Sequence, residues 1–382
     1  MTQGKLPDAA DGPDKADGPD KADGPDVGGG QLPLFAETPP AAPNLLAAGA
    51  AGAAGSAAVA STPAGAPAVG AAVPSPEVVA LAARLPAGTY LGGSTWSFPG
   101  WAGLVYDRAH PAARLARHGL AAYARHPLLR AVGIDRTHYR PLSSAELAPY
   151  AAAVPRDFLF LVKAHEVCTL AHFPDHPRYG AERGRPNPLF LDAAYAAAEV
   201  VAPYAEGLGA KGGALLFEFA PQDLGPPRRF AARLHAFLAA LPAGPLYAVE
   251  LRNRELLTAD YAAALAAAGA CHCLNVHPRM PDVRVQARLA GVAAAPLTVG
   301  RWLLGSGASY EAASKRFAPF DRLAAPDPGA RHALAGLARE ALAAGRRVLL
   351  TVNNNAEGCA PLSIVALARE LAASGRPPAD RR

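Results

Sequence analysis

Phe158-Leu159-Phe160-Leu161-Val162-Lys163 is an unbroken apolar run that ends on a charge. In an extended chain both of its faces are apolar, as in a strand covered on both sides within a parallel sheet. Ala214 to Phe217 and Val348 to Val352 read the same way. Working outward from these runs, short apolar segments alternate from Tyr90 onward with longer stretches of helical period, the pattern of a parallel α/β fold. Strands are expected to begin near Tyr90, Arg130, Asp157, Gly213, Leu246, Cys271, Leu297 and Arg347. Between them, Phe230, Leu234, Phe237, Leu238 and Leu241 share one helical face, as do Leu334, Leu337, Ala338, Ala341 and Leu342. Eight such units over residues 88 to 375 predict a TIM-like (β/α)8 barrel. Periodicity alone leaves an open doubly wound sheet as the rival. Gly92-Gly93-Ser94-Thr95-Trp96, after the first run, lacks the glycine spacing of a dinucleotide site.

The rest of the chain differs in composition. Residues 1 to 75 carry three Lys against seven Asp and one Glu, a net −5, which leaves +10 on the remainder of a chain whose total is +5. Residues 10 to 26 repeat Ala-Asp-Gly-Pro-Asp-Lys, and an Ala/Pro/Gly stretch follows to about Pro74. Such sequences bury too little apolar surface to offset their ordering entropy, so 1–75 is expected to be a disordered tail and linker, and 376–382 a disordered C-terminus. A basic body suits a small anionic ligand or nucleic acid, and serves solubility equally well. Cys168, Cys271, Cys273 and Cys359 are too scattered for a disulfide scaffold and read as reduced thiols in a cytoplasmic protein. The amino terminus lacks a basic segment followed by an apolar run, and Leu45 to Val73 is too weakly apolar for a membrane span, so no membrane association is expected.

In a (β/α)8 barrel, chemistry collects where strands end. Lys163 closes the third run, Glu218 the fourth, Glu250 and Arg252 the fifth, and Asn353-Asn354-Asn355 the eighth. The second leads to Asp135, Thr137, His138, Tyr139 and Arg140, the sixth to Asn275 and His277, and the seventh to Arg301. Alternation aims Glu250 and Arg252 to one side and Leu251 to the other. A lysine entering a barrel mouth must be paired, solvated or shifted in pKa. Glu250, Lys163 and Glu218 are therefore the candidate catalytic residues. Trp96, Tyr139, Arg140, Arg252, Asn353 and Asn354 are the candidate substrate-binding residues, although ion pairing, turn formation and packing account for many residues of these types. Cys271-His272-Cys273 with His277, and the run His165, His172, Asp175, His176, lack zinc spacing, so no metal ligands are assigned and no cofactor is identified.

These residues resemble the YecE-like family, domain of unknown function 72. The resemblance runs from Tyr90 to Leu371 and rests on Gly92 to Trp101, Thr137 with Tyr139-Arg140, Phe160 with Lys163-Ala164, Tyr247 to Glu250 with Arg252, and Asn353-Asn354. It implies a TIM-like barrel without an assigned activity. It also implies a divergent member, since the family pattern would place Glu at Gly133, Asn at Asp135, Phe at His138, Gln at Glu218 and His at Cys359, and would follow Arg301 closely with His-Gly. Gln31-Leu32-Pro33-Leu34-Phe35 stands apart in the tail and resembles the short motif by which bacterial replication and repair proteins bind the β sliding clamp.

Three functions are consistent with this reading. One is a barrel enzyme acting on an anionic or polyhydroxy substrate, with Glu250 or Glu218 as acid/base and Lys163, Arg140 and Arg252 as anion clamps. A second is a non-catalytic DNA-maintenance accessory recruited to the clamp through Gln31 to Phe35. The third is a metal-dependent nuclease or isomerase of barrel type.

Overall fold

A computed structural model describes residues 68–305 and 309–373. Eight parallel strands close on themselves in chain order: β1 (Thr89–Gly93), β2 (Ala131–Ile134), β3 (Leu159–Lys163), β4 (Gly212–Phe219), β5 (Tyr247–Leu251), β6 (Cys271–Val276), β7 (Leu297–Trp302) and β8 (Arg347–Val352). The pairing of β1 with β8, from Thr89↔Val348 to Gly93↔Val352, excludes the open sheet. Each strand starts within two residues of its expected place, because the apolar runs coincide with the segments that are buried on both faces.

Alternation along the strands sorts side chains into two apolar layers. Leu159, Leu161, Leu216, Ala248, Cys271, Cys273, Val299 and Leu349 fill the barrel interior. The intervening residues, such as Phe160, Phe217, Val249 and Leu350, pack against the surrounding helices. The helix Pro227–Ala239 buries Phe230, Leu234, Phe237 and Leu238 in that outer layer, as its 3.6-residue period requires. All four cysteines are buried and free. Among the described residues, no helix is long and apolar enough to cross a membrane.

Register is uneven around the barrel. β4 and β5 share five paired positions and β7 and β8 share six. β1 and β2 share only Gly92↔Ala131 and Gly93↔Val132, and β5 and β6 only Ala248↔Cys271 and Val249↔His272. These two thin seams lie opposite each other. The β1–β2 seam also depends on close backbone approach, since a Cβ on Gly92 would fall 1.7 Å from the Ala131 carbonyl oxygen.

The helix Pro328–Ala343 carries Gly336 in its interior, where an added Cβ would meet nothing within 4 Å. Gly336→Ala is therefore expected to raise stability by about 0.5–1 kcal/mol, because alanine loses less backbone entropy on folding. A urea midpoint no higher than that of the parent chain would contradict this.

Candidate functional site

The interior alternation that places Leu161, Leu216, Ala248 and Val299 inside the barrel continues one step further at the carboxyl end. There it brings in Lys163, Glu218, Glu250 and Arg301, and two residues past Glu250 also Arg252. Glu218 and Glu250 are direct register partners across β4 and β5. Two carboxylates forced side by side need intervening cations, and three supply them. Arg252 donates from Nε and NH2 to Glu250 Oε1 at 2.7 and 2.6 Å. Arg301 NH1 reaches across the barrel to Glu218 Oε2 at 2.5 Å and Glu250 Oε2 at 2.8 Å. Lys163 Nζ lies 3.0 Å from Glu218 Oε2, and Arg252 NH2 lies 3.6 Å from the same oxygen. All five side chains are at least nine-tenths buried.

The two carboxylates are not equivalent. Glu250 is fully buried and both of its oxygens accept from guanidinium groups. Glu218 takes its partners on Oε2, and among the described residues Oε1 has none. Burial would raise the Glu218 carboxyl, but Lys163, Arg252 and Arg301 override it and hold the group well below the usual carboxylate range. Burial lowers the Arg301 guanidinium, yet the carboxylates around it keep it raised and charged. The core of the site thus holds three cations and two anions, with Asp135 Oδ2 3.8 Å from Arg301 at its more open edge.

Neutral and polar groups surround this core. Burial, and then the charge of Lys163, hold the His138 imidazole well below its ordinary value. Burial also pushes His165 and His277 down to about 4. His138 Nε2 lies 3.6 Å from Glu166 Oε2, which Arg178 NH2 approaches at 2.5 Å. The Arg178 guanidinium also covers the Tyr139 ring at 5.3 Å. Asn275 donates from Nδ2 to the Leu251 carbonyl while its Oδ1 is buried without a partner. Thr351 Oγ1 and Ser94 Oγ are also buried and unpartnered. Asn275 and Thr351 flank Arg301 in register on β6 and β8. Burial pushes the Tyr310 phenol up to about 12, with Asp135 adding to the shift.

Of the expected residues, Lys163, Glu218, Glu250 and Arg252 converge. Trp96 does not join them: its indole is buried, donates to the Leu115 carbonyl at 3.1 Å and packs edge-on against Tyr150. Arg140 is drawn outward to Glu146 at 2.6 Å, where that glutamate also completes the capping box of the helix Ser144–Ala152. Tyr139 is partly exposed beside Arg178. Asn353 Oδ1 accepts from the Asn355 backbone at 2.9 Å. Asn354 Oδ1 accepts from Trp101 Nε1 at 3.3 Å and from the Ala360 backbone at 2.8 Å, so the amides shape the turn after β8. Arg301, absent from the candidate site residues, sits at the centre of the network. The available signal was its place at the end of an apolar run, the same signal that marked Lys163. His165 is occupied by the Tyr195 hydroxyl at 2.7 Å. Among the described residues, no three His, Cys, Asp or Glu side chains form a group that could hold a metal ion. Gln31, Leu32, Leu34 and Phe35 lie outside the described residues.

A family model described as "Protein of unknown function DUF72" matches residues 90–382. The chain belongs to the DUF72 family. Its barrel is similar to that of a DUF72 protein from Enterococcus faecalis V583, with 18% identity and a TM-score of 0.52, covering 75% of this chain and 97% of that one. A DUF72 protein from Thermotoga maritima MSB8 matches at 17% identity and a TM-score of 0.48 over 74% of this chain and 98% of that one. A methyltransferase from Methanosarcina mazei matches at 13% identity and a TM-score of 0.39 over 78% and 98%. No curated protein matches the chain. At these identities the likeness to the solved DUF72 structures speaks for the fold alone.

Proposed function

We propose that the carboxyl end of the barrel binds a small hydroxylated anion and that Lys163 and Glu218 are its working pair. The observation that carries this reading is the asymmetry of the ionic cluster. Glu250 is saturated, whereas Lys163 makes its one ion pair, among the described residues, to a carboxylate that keeps an unspent oxygen. Counting Asp135, three cations face three carboxylates, so an incoming anion must draw a cation from a carboxylate, and Lys163 is held by a single ion pair among the described residues. The unpartnered Asn275 Oδ1 and Thr351 Oγ1, which flank Arg301 in register, are suited to hydroxyl groups on the same ligand.

Binding and proton transfer are coupled in this arrangement. An anion that draws Lys163 away removes the strongest cationic influence on Glu218, and burial then raises the carboxyl toward the range in which it takes up a proton. Glu218 becomes the acid/base, Lys163 the anion clamp, and Glu250 the group that positions Arg252 and Arg301.

Inorganic phosphate is a suitable first probe, compared with chloride at equal ionic strength. Phosphate is expected to raise the thermal midpoint of the parent chain by several degrees and that of Lys163→Ala by much less. Glu218→Gln, which frees Lys163, should retain or strengthen the response. An equal phosphate shift in all three proteins, or none in any, would exclude this site as an anion site.

A further inference from the structure

The opposite end of the barrel carries a second charged feature that the carboxyl-end site does not use. Eight connectors lead from helices into the amino ends of the strands. The connectors before β5, β6 and β7 (residues 240–246, 268–270 and 290–296) contain no charged residue. Those before β8, β1, β2, β3 and β4, together with the first residue of β8, hold Arg84, Arg125, Arg130, Arg156, Lys211, Arg346 and Arg347, with Asp157 as their one carboxylate. These five strands are consecutive around the closed barrel, so the cations form one arc.

Helix C-termini favour nearby cations through their partial negative charge. All eight connectors follow such helix ends or short helical turns, yet only one side of the barrel is charged. Some of the seven do have local work. Lys211 Nζ donates to the Ala151 and Val154 carbonyls at 2.5 and 2.7 Å. Arg346 NH1 donates to the Val292 carbonyl and to Thr298 Oγ1. Arg130 pairs with Asp157 and lies over the Tyr90 ring at 5.9 Å. Arg84, Arg125, Arg156 and Arg347 are exposed and have no ion pair or side-chain hydrogen bond among the described residues.

We infer that this arc binds the phosphate backbone of nucleic acid, separately from the anion site at the other end. Neighbouring strands are about 4.8 Å apart, so five strand starts cover ~19 Å, a stretch along which a duplex presents on the order of ten phosphate charges. The unspent groups are all guanidinium, which binds phosphate oxygens through paired donors. A lipid surface fits less well, because the large exposed apolar side chains among the described residues, Val73, Val79, Tyr139 and Leu289, fall outside these five connectors. Backbone contacts of this kind position a protein on nucleic acid without reading its sequence.

The test uses the full chain, labelled 20-base duplex and single-stranded oligonucleotides, and vesicles containing phosphatidylserine. Four phosphate contacts give a slope of log K against log salt of about −3.6 on duplex and about −2.8 on single strands. Arg84→Ala, Arg125→Ala, Arg156→Ala and Arg347→Ala should each reduce the slope by about one, and the quadruple variant should lose salt-sensitive binding. Arg284→Ala, an exposed guanidinium in the segment that follows β6 at the other end of the barrel, should leave the oligonucleotide slope unchanged. The inference is overturned by an absence of salt-dependent oligonucleotide binding at about 50 mM salt, where phosphate contacts are strongest. It is equally overturned by an unchanged slope in the quadruple variant, or by binding to vesicles alone. Because the single variants alter exposed side chains, their slopes remain readable if the quadruple variant folds poorly.

Discussion

Replacing Arg301 with methionine is expected to destabilise the protein by about 3–5 kcal/mol at pH 7, the range for removing one partner from a buried ionic network. Arg301 NH1 is shared by Glu218 and Glu250, whose adjacency is fixed by the β4–β5 register. Without it, Lys163 and Arg252 remain but the barrel has no charge between the two carboxylates from the far side. The loss has a defined pH dependence. Glu218 is held below its ordinary value of 4.5 in the folded protein, so its contribution is present above about pH 4.5 and disappears as pH falls through the folded-state value. Removing Arg301 raises the folded-state value and reduces that contribution. The cost should therefore be largest above about pH 4.5 and should shrink only as pH falls toward the depressed folded-state value of Glu218. Urea unfolding at pH 7 and at about pH 2 reads the difference. Equal costs at the two pH values would assign the loss to packing instead. Adding Glu218→Gln and Glu250→Gln to Arg301→Met should recover part of the stability, since neutral amides no longer repel.

Gly92→Ala should be at least as damaging, for a steric reason. The added Cβ would lie 1.7 Å from the Ala131 carbonyl oxygen and 2.3 Å from its carbon. Both atoms are backbone, so no side-chain rotation relieves the contact. Relief requires β1 and β2 to separate, and those strands share only two paired positions. A loss of about 3 kcal/mol or more is expected, at or beyond the upper end for overpacking. The urea midpoint and the soluble yield of the variant measure it. A loss below about 1 kcal/mol would show that this seam widens easily.

The strands were legible because burial on both faces leaves an unambiguous mark, as in Phe158 to Val162. Lys163, Glu218, Glu250 and Arg252 were legible for a related reason: a charge that ends such a run is carried to the barrel mouth by the strand itself. Alternation also gave the common direction of Glu250 and Arg252, which form a direct ion pair. Partner choice was less readable. Arg140 stands close in sequence to the mouth, yet Glu146, six residues on, competes for it locally. Arg301 lies 83 residues from Glu218 and meets it only because the barrel closes. Trp96 illustrates a third limit, since an indole can stack on a ligand or satisfy a buried carbonyl, and the deciding Leu115 carbonyl belongs to a distant helix.

The two thin seams divide the closed sheet into two leaves, β2 to β5 and β6 to β1. One leaf contributes Lys163, Glu218, Glu250 and Arg252; the other contributes Arg301. Backbone bonds hold each leaf together more extensively than they hold one leaf to the other. The guanidinium of Arg301 is consequently a clasp as well as a counter-ion. On the anion-site reading proposed above, a ligand that competed for this guanidinium would also weaken the fastening between the two leaves.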